Sequence, residues 1–410
     1  MRSKPELLAP AGDFERMQIA IAYGADAVYL SGTSFGLRAN AKNFTSDELK
    51  TAIGYAHQHD VRVYVTANIF AHNQDIDQMT GYFRSLADMG ADAFIISDPG
   101  VFTLAKKEAP DIEIHISTQA NTTNYSSAKF WHSLGASRII MARELSVDEI
   151  SEISKKSDIA LECFVHGAMC MSYSGRCMLS RYMSAGRSGA ARDANLGACA
   201  HPCRYNYRLY AEEVSRPGHF MPIEENERGT DIFGAEDLCM VEHIPDLINA
   251  GVTSFKIEGR MKTAFYVGLT TLAYRRAIDS EDSQGLRGDF LDILKMASHR
   301  PFSTGFYFGK PDTPFAEAAY TRSHDFVGIV RGYSDGVAVI EQRNVFEAGD
   351  TLTIVNPDGT IHSQKITEMY IQPVRDSDRL KITRAPHAQQ MVEVEISEPA
   401  QELALVCRKA

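Results

Sequence analysis

The sequence predicts an α/β fold: a (β/α)8 TIM-like barrel with a cysteine-rich insertion after strand 7, followed by a small C-terminal antiparallel β-barrel domain. Three observations lead there. Eight short β-branched runs alternate with helix-length amphipathic stretches, the pattern of a parallel sheet covered by helices. They occupy about 280 residues, the size of such a barrel. From about Asp325 the period changes to short alternating strands separated by turn signals.

The strand runs are ELLAP (6–10), AVYLSG (27–32), RVYVTANI (62–69), AFIISD (93–98), EIHISTQ (113–119), RIIMARE (138–144), LECFVHG (161–167) and SFKIEGR (254–260). Helical spacing runs through Phe14 to Tyr23, Ser46 to His57, Asp75 to Met89, Ser126 to Leu134, Val147 to Lys155 and Met240 to Ala250. Asp98 before Pro99 and Glu144 before Ser146 read as helix-start signals. Residues 1–300 are thus expected to form the catalytic barrel, including an insertion over 166–230, with a linker over 301–324 and the β-domain over 325–410. Within the insertion, RYNYRLY and HFMPIE flank a turn at Arg216, Pro217 and Gly218, which predicts a hairpin flap. FVGIVRGY, GVAVIEQ, DTLTIV, HSQKITEMYI, RLKIT and MVEVEIS are the strand runs of the last domain.

At 410 residues and 44% hydrophobic, the chain can bury a large core. No stretch approaches the roughly 18 apolar residues of a membrane span, and Pro5 and Pro10 interrupt the place where a signal peptide needs its apolar core. A cytoplasmic protein with no membrane partner is expected. Formal charge is 42 minus 53, or −11, which argues against a surface coated for nucleic acid. Locally the balance reverses, since His166 to Arg208 holds six arginines and one acid, a net of +5. That basic island suggests an anionic substrate.

Four of the seven cysteines, Cys170, Cys177, Cys199 and Cys203, fall in that same island. Six residues separate the first pair, twenty-one the middle two and three the last pair. Structural zinc sites use tight pairs on both sides, so the wide first pair favours an iron–sulfur cluster. The alternative is a set of buried thiols packing as small hydrophobes. Cys163, Cys239 and Cys407 have no such company and read as structural.

Active sites of these barrels form at the carboxyl ends of the strands. Small, polar and charged residues recur there: Pro10, Gly12, Gly32, Asn68, His72, Asp98, Gln119, Asn121, Arg143, Glu144, His166, Glu258 and Arg260. His166, Glu258 and Asn68 are the candidates for catalysis, while Arg38, Arg143 and Arg260 suit an anionic ligand because a guanidinium grips carboxylates bidentately. Ser34 sits in a G-x-S-x-G match, yet that motif needs strand and helix joined directly at the serine, and here a loop intervenes.

The motifs PELLAPAGD, GADAVYLSG, FGLRANAKNF, ISTQANTTN, ARELS, ECFVHGAMCMSYSGRCMLS, CAHPCR and FKIEGR together resemble the collagenase-like peptidase family of unassigned mechanism, one of the peptidase U families. Within it the chain is most similar to the tRNA-hydroxylating branch. The resemblance implies a [4Fe–4S] cluster on Cys170, Cys177, Cys199 and Cys203, prephenate as co-substrate, and 5-hydroxyuridine formed at the tRNA wobble position. On this reading Arg38, Arg143 and Arg260 are the candidates to hold prephenate's two carboxylates and the island's arginines to meet anticodon phosphates; Tyr173, Tyr182 and Tyr205 are candidates to stack on unpaired bases, with core packing or capping the default role for each. Two other readings stay open: a collagenase-like peptidase, and a non-catalytic cluster-bearing subunit of a hydroxylase complex. A homo- or hetero-oligomer with a paralogue is compatible with each.

Overall fold

The computed structural model describes residues 4–36, 43–69, 71–169, 199, 202, 209–212, 217, 220–223, 236–280, 287–309, 320–371 and 379–410. Seven parallel strands follow one another as neighbours: β1 (Glu6–Pro10), β2 (Ala27–Leu30), β3 (Arg62–Ala67), β4 (Ala93–Ile96), β5 (Glu113–Ile116), β6 (Arg138–Ile140) and β7 (Ala160–Ala168). After the hairpin of β8 (Leu209–Glu212) and β9 (Phe220–Ile223) come β10 (Asp237–Cys239) and β11 (Ser254–Ile257). Strand β11 pairs in parallel with both β1 and β7, so the eight parallel strands close. All eight coincide with the runs read from the sequence.

Helices α1 (Phe14–Ala22), α2 (Ser46–Gln58), α3 (Asn73–Asp88), α4 (Pro99–Glu108), α5 (Tyr125–Ser133), α6 (Val147–Lys156), α7 (Ile244–Asn249), α8 (Ala264–Asp279) and α9 (Arg287–Met296) surround them. Their starts are chemically marked. Thr45 with Glu48 and Ser146 with Glu149 form capping boxes, and the Asp98 carboxylate accepts the Gly100 and Val101 amides at 2.8 and 3.0 Å. Helix α8 is buried on most sides, which explains why its sequence AFYVGLTTLAY lacks a polar face.

The barrel interior is ionic where most such barrels carry branched aliphatics. Arg138 Nη1 lies 2.5 Å from Glu6 Oε1 and 3.1 Å from Glu162 Oε2, and Lys256 Nζ lies 2.9 Å from Glu162 Oε1. Ser254 Oγ donates to Glu6 at 2.9 Å and Tyr64 Oη donates to it at 2.6 Å. Burial alone would raise the Glu162 carboxyl, but Lys256 and Arg138 hold it down at about 2. Two carboxylates and two cations therefore neutralise one another inside the barrel, with Arg62 touching Glu6 at its outer edge.

Beyond β12 (Phe302–Ser303), which pairs with β10, the second domain is an antiparallel sheet in the order β17 (Ile361–Lys365), β16 (Thr351–Val355), β22 (Leu405–Lys409), β13 (His324–Ser334), β14 (Val337–Gln342), β21 (Met391–Glu395), β18 (Met369–Ile371), β19 (Leu380–Ile382). A two-residue ribbon, β15 (Phe346–Glu347) with β20 (Arg384–Ala385), accompanies it. The sheet encloses its own core of Val327, Val330, Ile340, Leu352, Ile354, Val392, Val394 and Val406. Here the sequence reading needs correction. The run HSQKITEMYI is two strands, β17 and β18, broken at Ile366. Strand β22, which alternation did not reveal, lies centrally between β16 and β13, because LVCRK is too short to show a period.

The two domains are fastened together. Tyr23 Oη donates to Val355 O at 2.6 Å and accepts the Leu405 amide at 3.0 Å. Glu15 accepts from both Arg331 and Arg343, and Phe265 stacks on Phe326 with ring centroids 5.1 Å apart.

Replacing Glu162 with Gln leaves Arg138 and Lys256 with one carboxylate, a loss of about 3–5 kcal/mol for a broken buried pair. Because the native carboxyl titrates at about 2 against an ordinary 4.5, its contribution is full above pH 4.5 and is lost as pH falls toward 2. Urea unfolding at pH 7 and pH 3 should show a wild-type loss between the two that is smaller in the variant.

Candidate active site at the barrel mouth

Strand alternation carries the interior upward from the ion cluster to Phe164, whose ring faces Lys256 at 5.5 Å below and the Arg143 guanidinium at 4.0 Å. Phe164 is thus a floor between the charged interior and the carboxyl ends of the strands. Above it, Asn68 Nδ2 donates to Ser117 Oγ at 3.3 Å and Ser97 Oγ donates to Asn68 O at 3.1 Å. The chain leaves β5 through a tight turn, Thr118–Ala120, capped by Ser117, and Asn121 follows at φ 54°. The Thr118 hydroxyl donates to Met141 O at 3.0 Å, and Arg143 Nη1 donates to Ala168 O at 2.9 Å. The ends of β5, β6 and β7 are tied into one wall.

Among the described residues, this wall and the neighbouring end of β3 hold buried polar atoms without a hydrogen-bond partner: Gln119 Oε1, Asn121 Oδ1, Thr122 Oγ1, Arg143 Nε and Glu144 Oε2, with Thr66 Oγ1 on β3. Unsatisfied buried polar groups are costly and rare, so a cluster of them at one end of a barrel marks a ligand site. Close backbone approaches complete the mouth. A Cβ on Gly12 would run into the Arg260 carbonyl, and one on Gly36 would run into Ser31 Oγ.

The sequence-derived candidates do not all share this site. Asn68 and Arg143 belong to it directly, and Glu258 and Arg260 stand at the end of β11, with Arg260 buried. His166 is turned elsewhere. One extra residue on β7, Val165, breaks the register with β11, since Lys256 pairs with Phe164 but Ile257 pairs with His166. This bulge reverses the alternation, and the imidazole packs toward α8, its Nδ1 3.3 Å from Tyr274 Oη and its ring 5.6 Å from Phe302. Burial, then Lys262 and His299, push it down to about 3, so the ring is neutral at physiological pH. Asp98 is engaged as a helix cap, and Ser34 is exposed, with α2 starting only at Ser46. Arg38, Cys170, Cys177, Cys203, Tyr173, Tyr182, Tyr205 and the six arginines of the basic island lie outside the described residues; Cys199, within them, is part-exposed. Thr66, Thr122 and Phe164 escaped the sequence reading; Thr66 and Phe164 follow from period-two counting along β3 and β7, whereas Thr122 lies beyond the turn that ends β5, where that counting no longer applies.

Strand β10 runs antiparallel to β7, pairing Asp237 with Ala168, Leu238 with Gly167 and Cys239 with His166. The segment bearing the cysteine quartet therefore departs and returns side by side. Its departure point is the mouth end of β7.

Comparison with known proteins agrees with this architecture. Residues 12–316 match peptidase family U32, and residues 322–406 match the peptidase family U32 C-terminal domain. The chain is 36% identical over 402 residues to tRNA hydroxylation protein P1 of Bacillus subtilis, covering 96% of this chain and 92% of that protein. It is 35% identical over 403 residues to tRNA hydroxylation protein P of Escherichia coli, covering 88% of each. Against the 23S rRNA 5-hydroxycytidine C2501 synthase of Escherichia coli the identity is 37% over 278 residues, covering 67% of this chain and 39% of that one.

Three thiols stand apart from the quartet. Burial pushes Cys163 and Cys407 up to about 12, and Cys239 up to about 11. At pH 8 Cys163 and Cys407 should resist iodoacetamide in the native protein and label fully in guanidinium, with rates differing by at least about 100-fold, because the thiolate is the nucleophile. Peptide mass spectrometry reads this directly.

Proposed function

Because the chain belongs to peptidase family U32 through both of its domains, we propose that it is a tRNA-modifying hydroxylase forming 5-hydroxyuridine at the anticodon wobble position. The observation that carries this reading is its similarity, over nearly its whole length, to proteins named for tRNA hydroxylation. A peptidase reading finds less support. The mouth hydroxyls of Ser31, Ser97 and Thr118 donate to backbone carbonyls, and Ser117 Oγ accepts from Asn68 and from the Gln119 amide. Among the described residues, none of these four is hydrogen-bonded to a histidine or carboxylate that would activate it.

Prephenate is the proposed co-substrate, with its two carboxylates taken by Arg143, Arg260 and Arg38. Arg143 supports this, since its Nε–H has no protein partner while its Nη1 is fixed on Ala168 O. Glu258 at the end of β11 and Asn68 at the end of β3 are the polar groups proposed to act on the substrate. His166, neutral and facing α8, would act by holding the β7 exit, where its carbonyl accepts the Glu258 amide at 2.9 Å.

For a cofactor, we propose a [4Fe–4S] cluster on Cys170, Cys177, Cys199 and Cys203. The donor chemistry fits: four thiols fall on one stretch of sequence, while the other three, two of them buried and one partly so, have thiolates disfavoured by burial. When bound, such a cluster supplies redox or Lewis-acid chemistry, and the protein supplies orientation and electrostatics.

Mass spectrometry of tRNA from a strain lacking this gene and its paralogues should show loss of 5-hydroxyuridine derivatives; unchanged levels would remove the assignment. Anaerobic purification should yield brown protein with broad visible absorption, which Cys170→Ala abolishes. Colourless wild-type protein carrying stoichiometric zinc would overturn the iron assignment.

A further inference from the structure

We infer that the ends of β5 and β6 form a base-reading pocket, in which Glu144 and Gln119 recognise the imide edge of uracil and thereby select uridine over cytidine. This deepens the tRNA-hydroxylase reading and rests on it.

The unpartnered atoms of the mouth divide by chemistry. Arg143 Nε is a donor and suits an anion. Glu144 Oε2 is different: an ionised carboxylate accepts hydrogen bonds and offers none. A carboxylate-bearing co-substrate satisfies Arg143 but brings only more negative charge toward Glu144. That buried oxygen calls for a ligand N–H or O–H. Gln119 and Asn121 add two carboxamides, each presenting one acceptor and an NH2 group on interchangeable sides.

A carboxylate at the end of β6 working with carboxamides at the adjoining end of β5 would complement one nucleobase edge. Uracil presents a single donor, N3–H, between two carbonyl oxygens. Glu144 would accept from N3–H, and the amide NH2 groups would donate to the flanking carbonyls. Cytosine carries a lone pair at N3, which would face the carboxylate and leave both groups buried and unpaired. Sites built to bond a particular N–H or O–H reject analogues lacking it strongly for this reason.

The pocket is also held in place. Gln119 is 6% exposed, on a turn fixed by the Ser117 cap, and the Thr118 hydroxyl ties that turn to Met141 O at 3.0 Å. The two halves of the pocket, Gln119 on the β5 side and Glu144 on the β6 side, are thereby one unit. Asn121 sits at φ 54°, a conformation that asparagine tolerates. Beside them the Arg143 guanidinium, stacked at 4.0 Å on Phe164, offers its other face as a flat plate for a pyrimidine ring.

The test is equilibrium binding of the full-length protein to two tRNA transcripts that differ only in U or C at the wobble position. Wild type should prefer the U transcript by at least about 10-fold. Glu144→Gln should weaken binding of the U transcript while leaving the C transcript unchanged or tighter, bringing the ratio near one. Gln119→Ala should lower the same ratio, and serves if the first variant does not fold. Variants that keep the wild-type ratio, or a wild type that binds both transcripts equally, would sink the pocket while leaving the hydroxylase reading intact. A wild type that binds neither transcript overturns both.

Discussion

The charge-compensated group of Glu6, Arg138, Glu162 and Lys256 is what the rest of the barrel depends on. It joins β1, β6, β7 and β11, the strands around the point where the sheet must meet itself. Net stabilisation from buried ion pairs is small, because desolvation offsets most of the attraction. Their effect on register is larger. A one-residue slip of β7 would turn Glu162 toward the helices and strand Lys256 and Arg138 inside, whereas aliphatic layers would tolerate such a slip with less penalty. The ion group therefore acts as a lock on closure, and Phe164 above it keeps the polar mouth apart from the charged interior.

Strand β7 then performs two tasks with one irregularity. Up to Phe164 it pairs with β11 and completes the barrel; at Val165 it bulges. Beyond the bulge, Gly167 adopts φ 110° and packs against the Glu258 carbonyl, and the strand gains β10 as an antiparallel partner. Ala168 O is brought to Arg143 by the same departure. A straight β7 would place His166 over the floor and lose the ladder that holds both ends of the cysteine-bearing segment.

Legibility in the sequence followed periodicity. The barrel strands were readable because they are short apolar runs, several of them followed by a helix with a marked cap, as at Asp98 and Ser146. What was not readable was anything requiring a partner far away in sequence. The bulge at Val165 leaves no compositional trace, so His166 was expected at the mouth. Strand β22 depends on β13 and β16 for its existence, and its five residues carry no pattern alone. In the candidate site, Arg143 was legible as a charged residue at a strand end. The buried, unpartnered state of Gln119 and Glu144 was not, because hydrogen-bond satisfaction belongs to the folded neighbourhood rather than to residue type.

The second domain bears on the mouth through a short mechanical path. Helix α1 begins directly after the mouth end of β1, and Glu15 in its first turn is held by Arg331 and Arg343 of the β-domain. Between β1 and that turn lies Gly12, whose lack of a side chain lets the backbone meet the Arg260 carbonyl. About two helical turns farther on, at the end of α1, Tyr23 is locked between Val355 and Leu405. Any displacement of the β-domain must therefore pull on the loop that seats Arg260, while α8, buried between barrel and β-domain, resists such movement. A tethered spacer would need none of these contacts. Fastened in this way, the β-domain is part of the frame that keeps the β1 and β11 side of the mouth in register with the polar wall at β5 and β6.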